Sequence, residues 1–202
     1  MNVLVGCESS GEVREAFRAL GHNTWSCDLL PADDGSDHHL QCDVREAARS
    51  CRWDLGIFHP PCTYLSASGM HWTTRGLRDP SLTEDALQLV RDLMALPFAW
   101  AIENPIGCIS TRIRKADQII HPHQFGDDAS KATCLWLKDL PKLTATGHVP
   151  PRIVNGRKRW ANQTDSGQNK LPPSADRWKL RSKTYPGIAA AMAMQWGGWC
   201  IA

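Results

Sequence analysis

The chain has 202 residues, of which 42% are hydrophobic, and a formal net charge of +2. This length allows one domain with a sizeable core and is too short for two ordinary domains. No apolar run approaches the eighteen or so residues of a membrane span, and we expect no secretory leader before the first apolar run. Eight scattered cysteines form no Cys-x-x-Cys pair, so we expect reduced thiols, a cytoplasmic protein and no metal ion.

The amino-terminal pattern is typical of a nucleotide-binding unit. An apolar strand at residues 2–6 leads through a loop into a helix, whose predicted apolar face is formed by Val13, Ala16, Phe17 and Leu20. A second strand ends in Asp28, about twenty residues after the loop. A loop of small residues lets the backbone approach a ligand, and an acid at the next strand end accepts hydrogen bonds from ribose hydroxyls. We therefore predict a nucleotide-like ligand here.

Two further positions carry candidate chemistry in the middle of the chain. Asp43 precedes a predicted helix at residues 44–50, where it could contact a ligand, cap the helix, or do both. A buried strand at residues 55–58 runs through His59 into Pro60-Pro61-Cys62. The prolines lack backbone donors, so they end the strand and fix the direction of the chain. The Cys62 thiol at the carboxyl end of a strand is a candidate nucleophile, although a free cysteine is also commonly a core residue.

A second strand end carries a carboxylate. Residues 63–79 are predicted as a loop, and residues 81–84 as a capping box opening a helix with Leu82 and Leu93 on its apolar face. The strand at residues 98–102 then ends in Glu103-Asn104-Pro105. A carboxylate after a buried strand is costly to desolvate, so Glu103 is predicted to have either a catalytic task or an ion-pair partner. Residues 107–123 are predicted to be an irregular basic connection.

Together these motifs resemble those of the cytosine-C5 DNA methyltransferases. Pro60-Pro61-Cys62 and, some forty residues later, Glu103-Asn104 match the Pro-Pro-Cys and Glu-Asn-Val motifs of that family in order and position. The resemblance implies an α/β fold with a Rossmann-like S-adenosylmethionine-dependent methyltransferase core, a mostly parallel sheet with helices on both faces. It assigns the nucleophile to Cys62 and the acid to Glu103. Similar short proteins are common in bacteriophage genomes, so it also implies a phage or prophage origin.

The resemblance also implies the binding residues. S-adenosylmethionine is expected to contact Cys7, Glu8, Ser9, Gly11, Asp28, Asp43 and Pro60. The target base or DNA is expected to contact Asn104, Ser66, Ser68 and Lys131. The chain departs from the family's glycine-rich loop, where only Gly11 remains. Lys131 lies near the family's first base-site arginine and Thr133 near its second, so the second arginine is either missing or supplied by Arg112 or Arg114.

Residues 146–183 differ in composition from the rest of the chain. They hold nine Lys or Arg against two Asp, a segment charge of +7. Basic residues interleaved with Trp160 and Trp178 suit a surface that tracks phosphates and stacks on bases, although a solvated charged surface is the alternative. We predict DNA contacts from Arg157, Lys158 and Arg159, with short or relaxed sequence specificity because the segment is small.

The predicted organisation is a catalytic core at residues 1–145, a small basic DNA-recognition insertion at 146–183 and a carboxyl-terminal helix at 184–202 that packs back on the core. The predicted protein is a monomeric DNA cytosine-C5 methyltransferase acting on double-stranded DNA. Two alternatives remain open. One is the same chemistry on single-stranded DNA or a free cytosine nucleotide, and the other is a catalytically inactive nucleic-acid-binding module.

Overall fold

A seven-stranded sheet forms the centre of the computed structural model, which describes residues 1–199. Its strands are β1 (Asn2–Gly6), β2 (Asn23–Asp28), β3 (His39–Gln41), β4 (Leu55–Phe58), β5 (Ala99–Pro105), β6 (Gln118–Ile120) and β7 (Thr133–Lys138). Their order is β3-β2-β1-β4-β5-β7-β6. The first five strands in this order run parallel, whereas β7 runs antiparallel to both β5 and β6. The predicted mostly parallel sheet is confirmed.

Helices cover both faces of this sheet. They are α1 (Glu12–Arg18), α2 (Val44–Ser50), α3 (Ala67–Thr74), α4 (Ser81–Met94), α5 (Ile109–Arg112), α6 (Arg177–Ser182) and α7 (Pro186–Trp196). Buried side chains of α1 and α7 form one core with the sheet, and those of α2 and α4 form the other. The carboxyl-terminal helix therefore packs back on the sheet. Residues 200–202 of the predicted terminal segment lie outside the described residues.

The central strands are apolar throughout because both of their faces are covered. Val3, Val5 and Ile57 point into the core beneath α1 and α7, whereas Leu4 and Phe58 point into the core beneath α2 and α4. Successive strand side chains alternate between the two faces, so a strand buried on both sides must be apolar at every position. This requirement explains why the sequence predicts β1 and β4 so clearly.

Several predicted helix features are wrong. The first helix ends at Arg18, two residues earlier than its apolar pattern suggested, and Leu20 is exposed in the following turn. In α4 the buried face is carried by Thr83, Leu87, Val90 and Leu93, whereas Leu82 is exposed. The predicted capping box does not form, because Pro80 is the N-cap and the backbone N–H of Ser81 bonds to Asp79 instead.

Three predicted boundaries also need correction. The predicted loop at residues 63–79 contains α3, and the predicted irregular connection at 107–123 contains α5 and β6. The third correction concerns Glu103, which lies inside β5 and not after it, because β7 continues the pairing through Glu103 to Pro105. An antiparallel partner from a distant part of the chain therefore lengthened the strand beyond its apolar run.

The basic segment at residues 146–183 is more ordered than its composition suggested. It contains a two-stranded ribbon of β8 (Arg152–Val154) and β9 (Arg157–Arg159), followed later by α6. Trp160 is buried and stacks on His123, with ring centroids 4.3 Å apart. The prediction that Trp160 is free to stack on bases is therefore wrong, whereas Trp178 is 59% exposed.

The remaining global predictions can be compared with residues 1–199. Seven cysteines lie in this part of the chain and all are free thiols, while Cys200 lies outside it. None of the helices within these residues combines the length and apolar character needed to cross a bilayer. No group of three or more His, Cys, Asp or Glu side chains within them is arranged to hold a metal ion.

Candidate active site

The loops that follow β4 and β5 are joined to each other. The side-chain amide of Asn104, itself buried, donates to the Pro60 carbonyl at 2.7 Å. Beyond it, the Ala67 N–H donates to the Ile106 carbonyl at 3.0 Å, and the Cys108 N–H donates to the Leu65 carbonyl at 2.8 Å. These bonds hold the segment that carries Cys62 against the end of the strand that carries Glu103.

Gly107 makes this close approach of the two backbones possible. A β-carbon at position 107 would lie inside contact distance of the Leu65 carbonyl oxygen and of the Ser66 α-carbon. Any side chain would therefore force the two loops apart. The glycine thus fixes how near the Cys62 loop can come to the end of β5.

Cys62 begins a single 3₁₀ turn, residues 62–64, immediately after the double proline, and it is exposed. Partial burial raises the pKa of the Cys62 thiol. The positive charge of Lys131 opposes this rise, whereas the negative charge of Glu103 increases it. All three groups therefore lie within electrostatic reach of one another. The exposed thiol is therefore held mainly protonated in the free protein.

Glu103 has one protein partner among residues 1–199. Its Oε2 bonds to Nδ1 of His59 at 3.0 Å, and both side chains are nearly buried, with exposures of 12% and 9%. Burial acts to raise the pKa of Glu103, but the His59 hydrogen bond and the charge of Lys131 outweigh it, so the pKa is lowered from its ordinary 4.5. The free protein therefore favours the ionised carboxylate.

Lys131 lies just before β7 and completes this cluster. A small cavity beside Glu103 is lined by Glu103, Lys131, Thr133, Thr184, Tyr185 and Ile188. The ammonium of Lys131 donates to the Arg181 carbonyl of α6 at 3.2 Å. The structure thus brings together the predicted residues Cys62, Glu103 and Lys131, and adds the end of the basic segment to them.

The predicted cofactor loop, residues 7–11, lies at the carboxyl end of β1. Cys7 and Gly11 both have positive φ, 59° and 74°, and a β-carbon on Gly11 would meet the buried Arg14 guanidinium. The buried Glu8 carboxylate accepts the N–H groups of Val13, at 2.8 Å, and Arg14, at 3.3 Å. Burial raises the pKa of Glu8, and its carboxyl group already gives the amino-terminal N–H groups of α1 a partner from the chain itself.

Two carboxylates border the same edge of the sheet. Asp28 ends β2 and accepts the Leu30 N–H, while Asp43 caps α2 by accepting the Arg45 N–H at 2.7 Å. The cap predicted for Asp43 is observed, and it leaves a ligand contact open. Leu29 and Leu30 beside Asp28 are exposed apolar side chains.

These residues fit S-adenosylmethionine. The acid at the end of β2 can accept ribose hydroxyls, and the adjacent leucines can cover an adenine face. Two buried polar atoms near the strand ends, His59 Nε2 and Asn104 Oδ1, lack a protein partner among the described residues. Buried polar groups are normally satisfied, so these atoms suit a site that binds a polar ligand.

The other predicted base-site residues have structural contacts. Ser66 is buried and caps α3 by accepting the Gly69 N–H, and Ser68 lies beside it with their hydroxyls 3.3 Å apart. Arg112 pairs with Glu84 at 2.7 Å, and Arg114 pairs with Asp117 at 2.8 Å and donates to the Leu137 carbonyl. The structure does not bring either arginine to Glu103, so the base-site role predicted for them gains no support.

The three predicted DNA-binding residues of the ribbon differ in their surroundings. Arg157 and Lys158 are exposed, whereas the Arg159 guanidinium donates to the Asp165 carbonyl at 3.1 Å and to the Lys158 carbonyl at 2.9 Å. The turn between the strands contains Asn155 and Gly156, both with positive φ. A tight two-residue turn of this kind projects the ribbon tip into solvent.

Comparisons with known proteins give structural matches only. No protein-family model matches the sequence, and no curated protein matches it significantly. The Entamoeba histolytica methyltransferase EhMeth matches with a TM-score of 0.52 and 16% identity, over 74% of this chain and 58% of its own. A possible DNA modification methyltransferase encoded within an E. coli prophage matches with a TM-score of 0.41 and 14% identity, over 68% and 46%. The chain spans about half the length of these structures.

The sheet order and the likeness to EhMeth define the class of fold. A mostly parallel sheet with β7 inserted antiparallel between β5 and β6, and helices on both faces, is the Rossmann-like fold of S-adenosylmethionine-dependent methyltransferases. The fold class predicted from the sequence is therefore confirmed. In such sheets ligands bind at the carboxyl ends of the parallel strands, which is where Cys62, Glu103 and Asp28 lie.

Sequence reasoning missed His59, Tyr185 and Thr184 as members of the site. His59 had a detectable signal, because a polar residue stands between a buried strand and the double proline. The other two come from the turn before α7, some eighty residues after Glu103. Nothing in the sequence around Thr184 and Tyr185 indicates that they lie beside Glu103 at the end of β5.

Proposed function

We propose that this protein is a DNA cytosine-C5 methyltransferase that transfers a methyl group from S-adenosylmethionine to a flipped cytosine through a covalent bond to Cys62. The observation that carries the proposal is the position of the Cys62 thiol within electrostatic reach of the Glu103 carboxyl at the carboxyl edge of the sheet, on loops joined through Asn104. EhMeth, which shares the fold, is itself a methyltransferase.

The chemistry requires both groups. C5 of cytosine is a weak nucleophile while the ring is aromatic, so a thiolate must first add to C6. Cys62 Sγ would form that bond, and the displaced electron pair would move through C5 and C4 to N3. Glu103, which is ionised in the free protein, would take up a proton when the base binds and pass it to N3, while the Cys62 thiol loses its own proton to solvent; protonation of N3 makes C5 an enamine carbon. After methylation, removal of the C5 proton would let the Cys62 sulfur leave.

The cofactor would be held at the neighbouring strand ends. Asp28 would accept hydrogen bonds from the ribose hydroxyls. The loop at residues 7–11 and Asp43 would border the remainder of the cofactor, and Pro60 would separate the cofactor from the base. When bound, S-adenosylmethionine supplies the methyl group that C5 takes. Lys131 would stabilise the Cys62 thiolate, because its charge already opposes the rise in the pKa of that thiol.

DNA is the proposed partner because positive charge is concentrated on the segment next to the site. Residues 146–183 carry +7, and their last helix contacts Lys131 through the Arg181 carbonyl. A two-stranded ribbon can enter the major groove of duplex DNA. The ribbon here has only three residues in each strand, so it would read few base edges, which supports short or relaxed specificity.

The decisive experiment combines methyl transfer with covalent trapping. The protein is incubated with labelled S-adenosylmethionine and DNA, and the nucleosides are separated; label is expected in 5-methylcytosine. An oligonucleotide containing 5-fluorocytosine should become covalently attached at Cys62, because the fluorine blocks the final elimination. Cys62→Ala should abolish both results while leaving cofactor binding intact. Label in another nucleoside, or attachment at a different cysteine, would contradict the proposal.

The small size of the recognition segment is the reason for a second candidate, in which the same chemistry acts on a substrate other than duplex DNA. Single-stranded DNA or a free cytosine nucleotide would need no extrusion of the base from a duplex, which costs a few kcal/mol. Duplex, single-stranded and nucleotide substrates should therefore be compared at equal cytosine concentration. Duplex DNA is expected to give the highest kcat/KM. Absence of both cofactor binding and methyl transfer would indicate an inactive nucleic-acid-binding module.

A further inference from the structure

His59 is bound to the proposed acid but has no role in the chemistry described so far. It follows β4 directly, and its backbone N–H donates to the Gly6 carbonyl of β1 at 2.9 Å. The imidazole is therefore fixed over the carboxyl ends of β1 and β4, beside that of β5. Its side chain is 9% exposed, so the ring has little freedom to turn.

The hydrogen bond defines which atoms of Glu103 are occupied. Oε2 is bonded to His59 Nδ1 at 3.0 Å. Oε1 has no hydrogen-bond partner among residues 1–199, so it is the oxygen left to face a substrate. An ionised carboxylate can only accept hydrogen bonds, which requires that Nδ1 be the protonated ring nitrogen in the free protein.

Several charged groups surround this pair. Glu103 faces the ring from β5, and Glu8 faces it from the loop after β1, since His59 acts on the pKa of Glu8. Lys131, from before β7, and Cys62, from the loop after β4, lie within electrostatic reach of Glu103. The imidazole therefore lies within electrostatic reach of two buried carboxyl groups, and its Nδ1 is hydrogen-bonded to that of Glu103.

We infer that His59 is a positioning residue for Glu103, which anchors Oε2 through Nδ1–H, directs Oε1 toward the cytosine and stabilises the carboxylate that remains after the proton has passed to N3. The inference rests on the proposed function for its substrate. The step is a proton transfer from the carboxyl group of Glu103 to N3 of cytosine, and its reverse when the base is released. The Nδ1–H bond of His59 does not break in it.

Two substitutions separate this role from simple packing. His59→Leu removes the donor, whereas His59→Asn places an amide N–H close to the position of Nδ1 and cannot titrate near neutral pH. His22→Asn is the matched control, because His22 packs against Phe17 on the first helix, outside the candidate site. All three variants are compared with the wild type as full-length proteins.

The first measurement does not depend on catalysis. The carboxyl carbon of Glu103 is followed by NMR across pH, with Glu103→Gln used to assign the signal. The titration should move to higher pH in His59→Leu, and it should stay at the wild-type pH in His59→Asn and His22→Asn. Histidine ¹⁵N spectra of the wild type should show Nδ1 of His59 protonated. An unchanged titration, or an unprotonated Nδ1, overturns the inference even if one variant does not fold.

The second measurement uses methyl transfer. His59→Leu should lower kcat about 10²-fold, the cost expected from a misplaced reacting group, with little change in the KM for DNA. The limb of the rate profile that falls with rising pH should move to higher pH, because Glu103 keeps its proton longer. His59→Asn should restore most of kcat. A loss of activity without movement of that limb counts against positioning, whereas an inactive wild type with the expected NMR result contradicts only the proposed function.

Discussion

Lys131 lies within electrostatic reach of both Cys62 and Glu103, and its charge favours the ionised form of each. Burial raises the pKa of the thiol and acts to raise that of the carboxyl. The ammonium group opposes both effects, so it shifts the thiol and the carboxyl group toward their ionised forms. The chemistry of this site is therefore set by single side chains and their charges.

The effect of Lys131 on the thiol can be measured directly. Alkylation of Cys62 by iodoacetamide requires the thiolate, so its rate should increase with pH and reach half its maximum above the ordinary thiol value of 9.0. Lys131→Gln removes the opposing charge and should move this midpoint to still higher pH. Mass spectrometry of the Cys62 peptide gives the rate, and the exposed Cys51 is the internal control. A midpoint that falls in Lys131→Gln would contradict the assigned charge effect.

Glu103 should make stability depend on pH in a defined direction. Its pKa is lower in the folded protein than its ordinary 4.5, so the folded state favours the ionised form and gains stability from it above that pH. This contribution is lost as the pH falls below 4.5 and through the folded-state value. The difference in free energy of unfolding between wild type and Glu103→Gln should be constant above about pH 5.5 and shift in favour of the variant at lower pH.

Urea denaturation at several pH values tests this expectation. Glu46→Gln on the exposed side of α2 removes one carboxyl group elsewhere and corrects for the general effect of charge. If the difference between wild type and Glu103→Gln instead favoured the wild type more strongly at low pH, the direction assigned to the pKa of Glu103 would be wrong.

At the scale of elements, the site depends on two loops that share backbone hydrogen bonds. The loop after β4 carries Cys62, the end of β5 carries Glu103, and three hydrogen bonds connect them. Because two of the three are between backbone atoms, their spacing is set by the closest approach of the chains. Gly107 lies at that point.

Gly107→Ala should separate the two loops. The new methyl group would press on the Leu65 carbonyl, so we expect a loss of stability of about 1–3 kcal/mol and a fall in kcat of about 10²-fold. Cofactor binding should change little, since the residues proposed for it lie mostly after β1 and β2. Gly198→Ala is the matched control, because a β-carbon there meets no other atom. Equal activity of the two variants would show that the loop spacing does not govern the chemistry.

The sequence predicts best those elements whose secondary structure depends mainly on their own side chains. The short apolar runs of β1 and β4 indicate central strands, and Pro60-Pro61 ends β4 because prolines lack the N–H groups that a strand needs. The extension of β5 through Glu103 could not be predicted, because it depends on pairing with Leu135 more than thirty residues later. Short elements such as α3 and β6 likewise depend on tertiary contacts more than on propensity.

The same distinction applies to the site. Cys62, Glu103 and Asp28 were predictable as candidates because each is a chemically distinctive residue near the end of an apolar run. The Lys131 position was only approximate in sequence, and its approach to Glu103 required the fold. Trp160 was misassigned because an interleaved tryptophan has the same sequence signature whether it stacks on a base or on His123.

At the scale of the whole molecule, charge is divided between two parts of the chain. Residues 146–183 carry +7 and the remaining residues −5, which together give the formal net charge of +2. The ribbon is attached to the core beside Trp160, whose ring stacks on His123 with centroids 4.3 Å apart. A basic segment fastened to an acidic core would direct DNA to one side of the protein.

The ribbon should bind DNA mainly through phosphate groups. Arg157→Gln with Lys158→Gln should weaken binding to all DNA sequences alike, and should make the slope of log K against log salt less steep by about 0.9 for each phosphate that is no longer neutralised. Arg159→Gln should leave the slope unchanged, because its guanidinium is already bonded within the segment. The results are read from fluorescence anisotropy at several salt concentrations.

A charge-matched control uses Arg49→Gln with Arg52→Gln. These residues are exposed at the end of α2 and just after it, before β4 begins, on the side of the sheet opposite the strand carboxyl ends. The control removes the same net charge and should keep the wild-type slope. Equal changes in both double variants would mean that DNA binding responds to total charge and not to the ribbon.

Gly107 also bears on how this protein could change over evolution. Its contribution is the absence of a β-carbon where the loops that carry Cys62 and Glu103 meet. Selection would hold the position as tightly as Cys62, although the residue offers no group that could react, bind or ionise. An invariant glycine after the Glu-Asn pair of relatives would therefore indicate that the spacing of the two loops is conserved. Relatives with another residue at this position would be expected to have lost the reaction or to carry it out with a different loop arrangement.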